Sequence, residues 1–542
     1  MVPEPSERLP ADAAQLLGDD AALRLLQELV AIAPTNLEDV TLGRYEKPNY
    51  RRAAEAIVRW ARAFGLSTRV VDALVEAKDP AEFRGVPRPN VVVDLDRGAK
   101  ETVLVLAHFD VVPVPEEQRA RWKSPPHSLT FRADRRLYGR GSNDDLGSGI
   151  TSTLLAMRRL AESDELPRNV RLLACCDEET GGEGGIEALR ALDASLPPGD
   201  PRRLLNAEVA LIPDGSPHTT VGSSGVAFLE ASFARKVTLP EALDYGDALL
   251  GLEALASSWR SVCTSEDWPD RGAPQPVLTG RATVTRFDVD KVPAGPTLRL
   301  LLAHAESTAG NQIPRAVTLL FGGPPERLAL LASELRALLP PPFELVPAGA
   351  SSLALPPGAL ALQVLGTAGH AGYPHRAKNP VPPTLRLLRE AIVRRWLDAT
   401  APGAAWFTVD LRLPPEMELE DGLRPALAQV RAWASDHAPA AQLVAPPSRC
   451  RPGYILSPEH PAARKLERLV RETLGHGGFL GEYGGTDASS LRGLSTPAGD
   501  PLPALVFGSM DSQAQIHDVD ESVDPRLLAG VARTIERFVR EP

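Results

Sequence analysis

The chain has 542 residues, of which 43% are hydrophobic and 24% charged, and carries a formal net charge of −11. This length exceeds the roughly 100–200 residues usual for one domain, and the composition excludes both a disordered and a membrane-embedded chain. Arginines scattered without a basic run, a polar acidic start and no apolar run of the ~18 residues needed for a span argue against nucleic-acid or membrane partners and for a cytoplasmic location.

Taken in chain order, Asp20 to Ile32 has apolar residues at helical spacing behind an Asp able to cap it, and Tyr50 to Gly65 repeats the pattern. Short continuous apolar runs follow at Val91–Leu95, Val103–Ala107, Val170–Cys176, Val209–Ile212 and, far downstream, Ala504–Phe507. Such runs fit strands buried on both faces. Helical patterns at Gly147–Ala161 and Ile186–Ala191 lie between them, so the order predicts an α/β unit with helices on both faces of a mostly parallel sheet. Ligands of such sheets gather at the carboxyl ends of the strands.

After Pro217 the pattern changes to alternating strands at Val226–Phe233, Ala282–Phe287 and Val317–Phe321, with amphipathic helices at Pro325–Leu338 and Pro383–Leu397. This predicts a separate α+β unit, long enough for two similar halves. Pro461–Leu474 then reads as a helix, and Ala504–Phe507 returns to the first style. The predicted organisation is one domain in two parts, 1–221 and 449–542, interrupted by an insertion at 222–448.

Polar residues cluster where the apolar runs stop. His108 and Asp110 end the Val103–Ala107 strand, an arrangement in which the carboxylate can orient the ring of a metal-binding imidazole. Asp144 and Asp145 sit side by side on a glycine-rich turn, either as a helix cap or as a carboxylate bridging two cations. Asp177, Glu178 and Glu179 follow the Val170–Cys176 strand directly, and three consecutive acids repel one another unless solvent or cations offset their charge. Asp214 stands just past Val209–Ile212, and His517 lies near the end of the chain. Cys175, Cys176, Cys263 and Cys450 are too few and too unevenly spaced for a disulfide framework and read as reduced thiols.

This ordered set, His108-x-Asp110, the GRGxxDD turn, DEExGG and a terminal His before an acidic stretch, resembles the dinuclear zinc metallopeptidases that include aminoacylase, succinyl-diaminopimelate desuccinylase, carboxypeptidase G and the Xaa-His dipeptidases. The resemblance runs from about residue 20 to 530. It implies two Zn²⁺, with Co²⁺ or Mn²⁺ able to occupy similar sites. His108 and Asp214 would bind one ion, Glu179 and His517 the other, and Asp144 would bridge them. Asp110 would orient His108, Glu178 would act as general base, and the Asp144–Asp145 peptide bond would be cis. The insertion resembles the family's lid, whose His370 would meet the scissile carbonyl while Asn311 and Arg412 hold the substrate's oxyanion or carboxylate. Gly485 and Thr486 fall in a stretch resembling a loop that lines the substrate pocket.

Two departures stand out: Leu146 replaces the common Lys two residues after the bridging Asp, and RAKNP replaces the common RxGxNA after His370. The implied activity is hydrolysis of dipeptides or small peptides with a free carboxylate, the alternative being deacylation of N-acyl amino acids. The rivals are an inactive binding protein on the same fold and a cysteine hydrolase using Cys175 or Cys176. The long lid favours a monomer over a homodimer. A hinge is expected near 218–225 and 445–452.

Overall fold

The computed structural model describes residues 9–35, 49–74, 87–114, 116–197, 200, 202–233, 235–264, 277–306, 311–348, 358–372, 377–437, 441–445 and 450–541. Of the segment expected to hinge, 446–449 lie outside the described residues. The chain separates into two compact units. The first comprises Met1–Ser223, Cys263–Pro276 and Tyr454–Pro542; the second comprises Ser224–Val262 and Val277–Gly453.

A nine-stranded sheet organises the first unit. Glu101–His108 pairs in parallel with Arg168–Cys175 on one side and Val209–Ile212 on the other, and Ala504–Val506 adds in parallel beyond. Pro87–Leu95 and Ser67–Leu74 extend one flank in antiparallel fashion. The sheet is thus parallel through its centre and mixed at its flanks.

Alternation along these strands sends side chains to two different cores. Val103, Val105, Ala107, Val170, Leu172, Leu211 and Leu505 join one buried cluster, whereas Leu104, Leu106, Leu173, Ala210, Ile212 and Val506 join another. The first cluster is closed by helices Asp20–Ile32, Tyr50–Ala63, Ser152–Ala161, Pro461–Leu474 and Pro525–Arg540, and the second by Ile186–Ala194. Double burial explains why the strands read as unbroken apolar runs. Truncating one such leucine to alanine costs about 2–5 kcal/mol.

The helix expected from Gly147 starts differently. Leu146–Thr151 forms a wider π-turn before regular helix takes over at Ser152–Ala161. Ser148 N and Ile150 N reach back five residues, to Asn143 O at 3.1 Å and Asp145 O at 3.0 Å. Glycine permits this, since a Cβ on Gly147 would lie 2.0 Å from the Ser142 carbonyl oxygen.

The second unit carries its own nine-stranded antiparallel sheet, which includes Gly225–Phe233, Arg281–Asp290, Ala316–Gly322 and Ala404–Leu413. Helices Leu239–Leu250, Pro325–Leu338, Val381–Val393 and Leu419–His437 accompany it. Ala227, Leu229, Val284, Val409 and Leu411 point into the core on its helical side. Among the described residues no helix is long and apolar enough to cross a membrane.

Candidate metal centre

The parallel strands of the first unit place His108, Asp177 to Glu179 and Asp214 at one end of the sheet, because each follows a strand running in the same direction. The Asp144–Asp145 peptide bond, at the mouth of the π-turn, is cis. The two aspartates have separate tasks. Asp145 is buried and caps the turn, accepting from Gly149 N at 2.6 Å and from His108 N at 3.3 Å. Asp144 turns toward both imidazoles, with His108 Nε2 at 3.1 Å from its Oδ1 and His517 Nε2 at 2.9 Å from its Oδ2.

Two groups of donors result, His108 with Asp144 and Asp214, and Asp144 with Glu179 and His517; within each the ligand atoms lie within 4.8 Å of one another. Asp214 Oδ2 stands 4.0 Å from His108 Nε2, and Glu179 Oε1 stands 3.1 Å from His517 Nε2. His517 adopts a left-handed backbone, φ 63°, in the loop beyond Ala504–Val506.

Burial opposes charge on both imidazoles, but carboxylate neighbours win: Asp110 and Asp144 raise the His108 pKa, and Glu179 and Asp144 raise that of His517. Burial raises Asp144 too, yet hydrogen bonds from the two histidines hold it below the usual carboxylate range. Asp214 is pushed up by burial and by the charges of Asp144 and Asp145. Glu179 is pushed up to about 7 by burial, with His517 opposing and Asp144 adding to the rise. Crowded carboxylates of this kind need positive charge near them. Two imidazoles and three carboxylates suit zinc, manganese or cobalt, so the donors present fit a pair of divalent cations.

Asp110 buttresses the arrangement. His108 Nδ1 lies 3.0 Å from the Asp110 carbonyl oxygen and 3.4 Å from its Oδ1. The Asp110 carboxylate also accepts the backbone N–H groups of Glu178 and Glu179, at 3.0 and 3.1 Å. Glu178 is half-buried on this turn, and its charge adds to the upward shift of Asp214. One residue earlier, Asp177 at φ 63° is held by the buried Arg88 guanidinium at 2.7 Å. Cys175 and Cys176 are free and buried, and burial pushes both thiols up, away from nucleophilic character.

The candidate residues in the second unit also gather. Asn311 O accepts Ala371 N at 2.7 Å, and Gln312 stands opposite His370 in an antiparallel pair. His370 Nδ1 accepts the Gly372 N–H at 3.1 Å. Thr283 Oγ1 donates to Ala371 O at 3.4 Å, and Thr283 lies opposite Asp410 in the register that pairs Arg281 with Arg412. Arg412 is buried and bidentate on Asp410, both bonds 2.6 Å. The sequence pattern offered no hint of this pairing, or of the row it begins: Arg281, Arg412, Val226 and Arg451 follow one another across adjacent strands.

Back in the first unit, Thr486 caps the short helix Asp487–Leu491, its hydroxyl accepting Ala488 N at 3.3 Å, while Gly485 is exposed. The charge of Asp487 is felt by Cys175, the register neighbour of His108.

An open sheet clad in helices, with two imidazole–carboxylate groups sharing one aspartate at its strand ends, is the framework of a candidate dinuclear metal centre. The chain belongs to peptidase family M20/M25/M40, whose family model matches residues 104–541. It is 31% identical over 178 residues to the Cys-Gly metallodipeptidase of Schizosaccharomyces pombe, covering 32% of this chain and 34% of that protein. It is 40% identical over 101 residues to the succinyl-diaminopimelate desuccinylase of Acidovorax ebreus, covering 18% and 25%. These stretches span well under half of either relative. The fold is similar throughout to the dipeptidase Dug1p of Saccharomyces cerevisiae, with a TM-score of 0.60 at 12% identity over 98% of both chains.

Proposed function

We propose that this protein hydrolyses the amide bond of dipeptides or small peptides bearing a free carboxylate, with two divalent cations, zinc foremost, held by His108, Asp214, Asp144, Glu179 and His517. The observation that carries the reading is the division of one carboxylate, Asp144, between two imidazoles that each have a further acid beside them. Bound there, such cations supply Lewis acidity to an attacking water and to a carbonyl oxygen.

The chain's own residues handle the protons. Glu178, fixed through its backbone by Asp110, takes the proton of the attacking water on its carboxylate and returns it to the leaving amine nitrogen. For the second unit we propose substrate binding, with His370 directed to the oxygen of the scissile carbonyl and the Arg412 guanidinium, set by Asp410, to a substrate carboxylate. The similarity to a desuccinylase supports a second reading, removal of an acyl group from an N-acyl amino acid. The chemistry at the reacting carbonyl is the same.

The test is a side-by-side panel of dipeptides and N-acetyl or N-succinyl amino acids, before and after chelation and return of zinc, cobalt or manganese, with Glu178→Gln in parallel. Metal-dependent cleavage of dipeptides, lost in a Glu178→Gln protein that still binds two metals, is expected. Cleavage confined to N-acyl substrates selects the second reading, and no cleavage of anything by the metal-loaded protein rejects both.

A further inference from the structure

The turn that presents Asp144 is secured by a residue from the far end of the chain. Glu521 Oε1 accepts the backbone N–H of Asn143 and that of Asp144, both at 3.2 Å. Its other oxygen accepts Arg140 Nη1 at 2.7 Å. Arg140 and Glu521 side chains are each 1% exposed, and Trp122 places its ring 5.6 Å from the guanidinium carbon. The Glu521 carbonyl oxygen accepts Gly139 N at 3.0 Å, extending the join to the start of the turn.

Asn143 continues it on the other side. Its Nδ2 donates to Ser509 O at 3.2 Å and Ser522 O at 3.3 Å, and its Oδ1 accepts the Ser509 hydroxyl at 2.8 Å. Thus the 139–145 turn is bonded to both ends of the 509–522 segment, and His517 stands between those ends. One carboxylate thus fixes the Asp144 backbone against the segment that carries His517.

We propose that Glu521 and Arg140 are positioning residues for the metal pair: together they set the separation of the Asp144 carboxylate from the His517 imidazole, and with it the affinity for the cation of the Asp144, Glu179 and His517 group. This rests on the metal reading above. Through its two carboxylate oxygens Glu521 serves two backbone amides and a guanidinium at once. A glutamine there must either turn its amide N–H₂ toward Arg140 or lose the backbone amides. Outer partners of metal ligands commonly alter affinity by 10–100-fold when changed.

The experiment titrates Co²⁺ into the metal-free full chain, against a competing chelator, for the native protein, Glu521→Gln, Arg140→Met and Arg140→Lys. Arg171→Leu serves as control, because it breaks an ion pair with Asp94 in the same sheet away from the site. All are read well below their own thermal transitions. Glu521→Gln and Arg140→Met are expected to bind one of the two Co²⁺ equivalents about 10–100-fold more weakly, with an altered visible absorption band, and Arg140→Lys to recover part of the loss. Equal affinity and an unchanged band in Glu521→Gln, or an equal loss in Arg171→Leu, overturns the proposal. A native protein that does not bind two equivalents overturns the metal reading itself, and the positioning role falls with it.

Discussion

Asp110 holds Glu178 by its backbone, one carboxylate oxygen accepting the Glu178 N–H at 3.0 Å while the other accepts the Glu179 N–H at 3.1 Å. The same aspartate lies against His108. A single buried side chain therefore orients residues of three expected roles: a ligand for each cation and the base.

Asp110→Ala is accordingly expected to weaken metal binding about 10–100-fold and to lower kcat even at saturating metal. Asp110→Asn, which keeps one accepting oxygen, is expected to fall between. The check is kcat and chelator-competition affinity measured on the same preparations; a kcat restored in full by excess metal would confine Asp110 to the imidazole.

Arg412 and Asp410 make a second prediction separable from activity. Arg412→Ala leaves the Asp410 carboxylate buried without its guanidinium, a change that costs about 3–5 kcal/mol. Replacing both, as Arg412→Met with Asp410→Leu, is expected to regain most of that stability while KM for a carboxylate-bearing substrate stays raised. Denaturant unfolding gives the first quantity and steady-state kinetics the second. Recovery of KM in the double variant would show that Arg412 serves the fold alone.

Metal removal gives a third. Stripping the cations leaves Asp214 and Glu179 crowded against Asp144, so chelation should lower the thermal transition and return of metal should restore it. A ligand at a hundredfold excess over its Kd adds about 2.7 kcal/mol to the folded state. In His517→Ala the metal-induced rise is expected to shrink, as read by scanning calorimetry.

His127 sets a fourth, in pH. Burial, then the charges of Arg140 and Arg119, push its pKa down to about 4. The unfolded chain, with a histidine near 6.5, binds a proton that the folded chain refuses between those values. Stability is therefore full above about pH 6.5 and lost as pH falls toward 4, by an amount on the order of 3 kcal/mol for this residue. Urea unfolding of His127→Gln across pH 4–7 should show a shallower slope than the native protein.

Much of this fold was legible because periodicity and burial agree. The helices Asp20–Ile32, Pro325–Leu338 and Pro461–Leu474 start and stop where apolar spacing and caps placed them. The five apolar runs are all strands of one sheet, since double burial leaves no polar face to blur the signal. Helix Leu239–Leu250, begun by the Thr238 and Glu241 capping box, is not among the predicted elements, because it stands between segments of strand pattern that set the local period. At the site, the strand-end acids and histidines were legible by type and position. Glu521, Arg140 and the Arg412–Asp410 pair were not, because each acts across long sequence separations or within a strand, where no spacing rule marks a buried charge.

Glu179 and His517, 3.1 Å apart in space, are separated by 338 residues of chain. At roughly 5–20 residues per second, a ribosome that has finished the first needs something like 15–70 s to deliver the second. Once residue 214 has been added, the nascent chain carries His108, Asp144 and Asp214 but only part of the other group. The second donor group is completed only when residue 517 has been added, and a chain stalled upstream of it lacks that group.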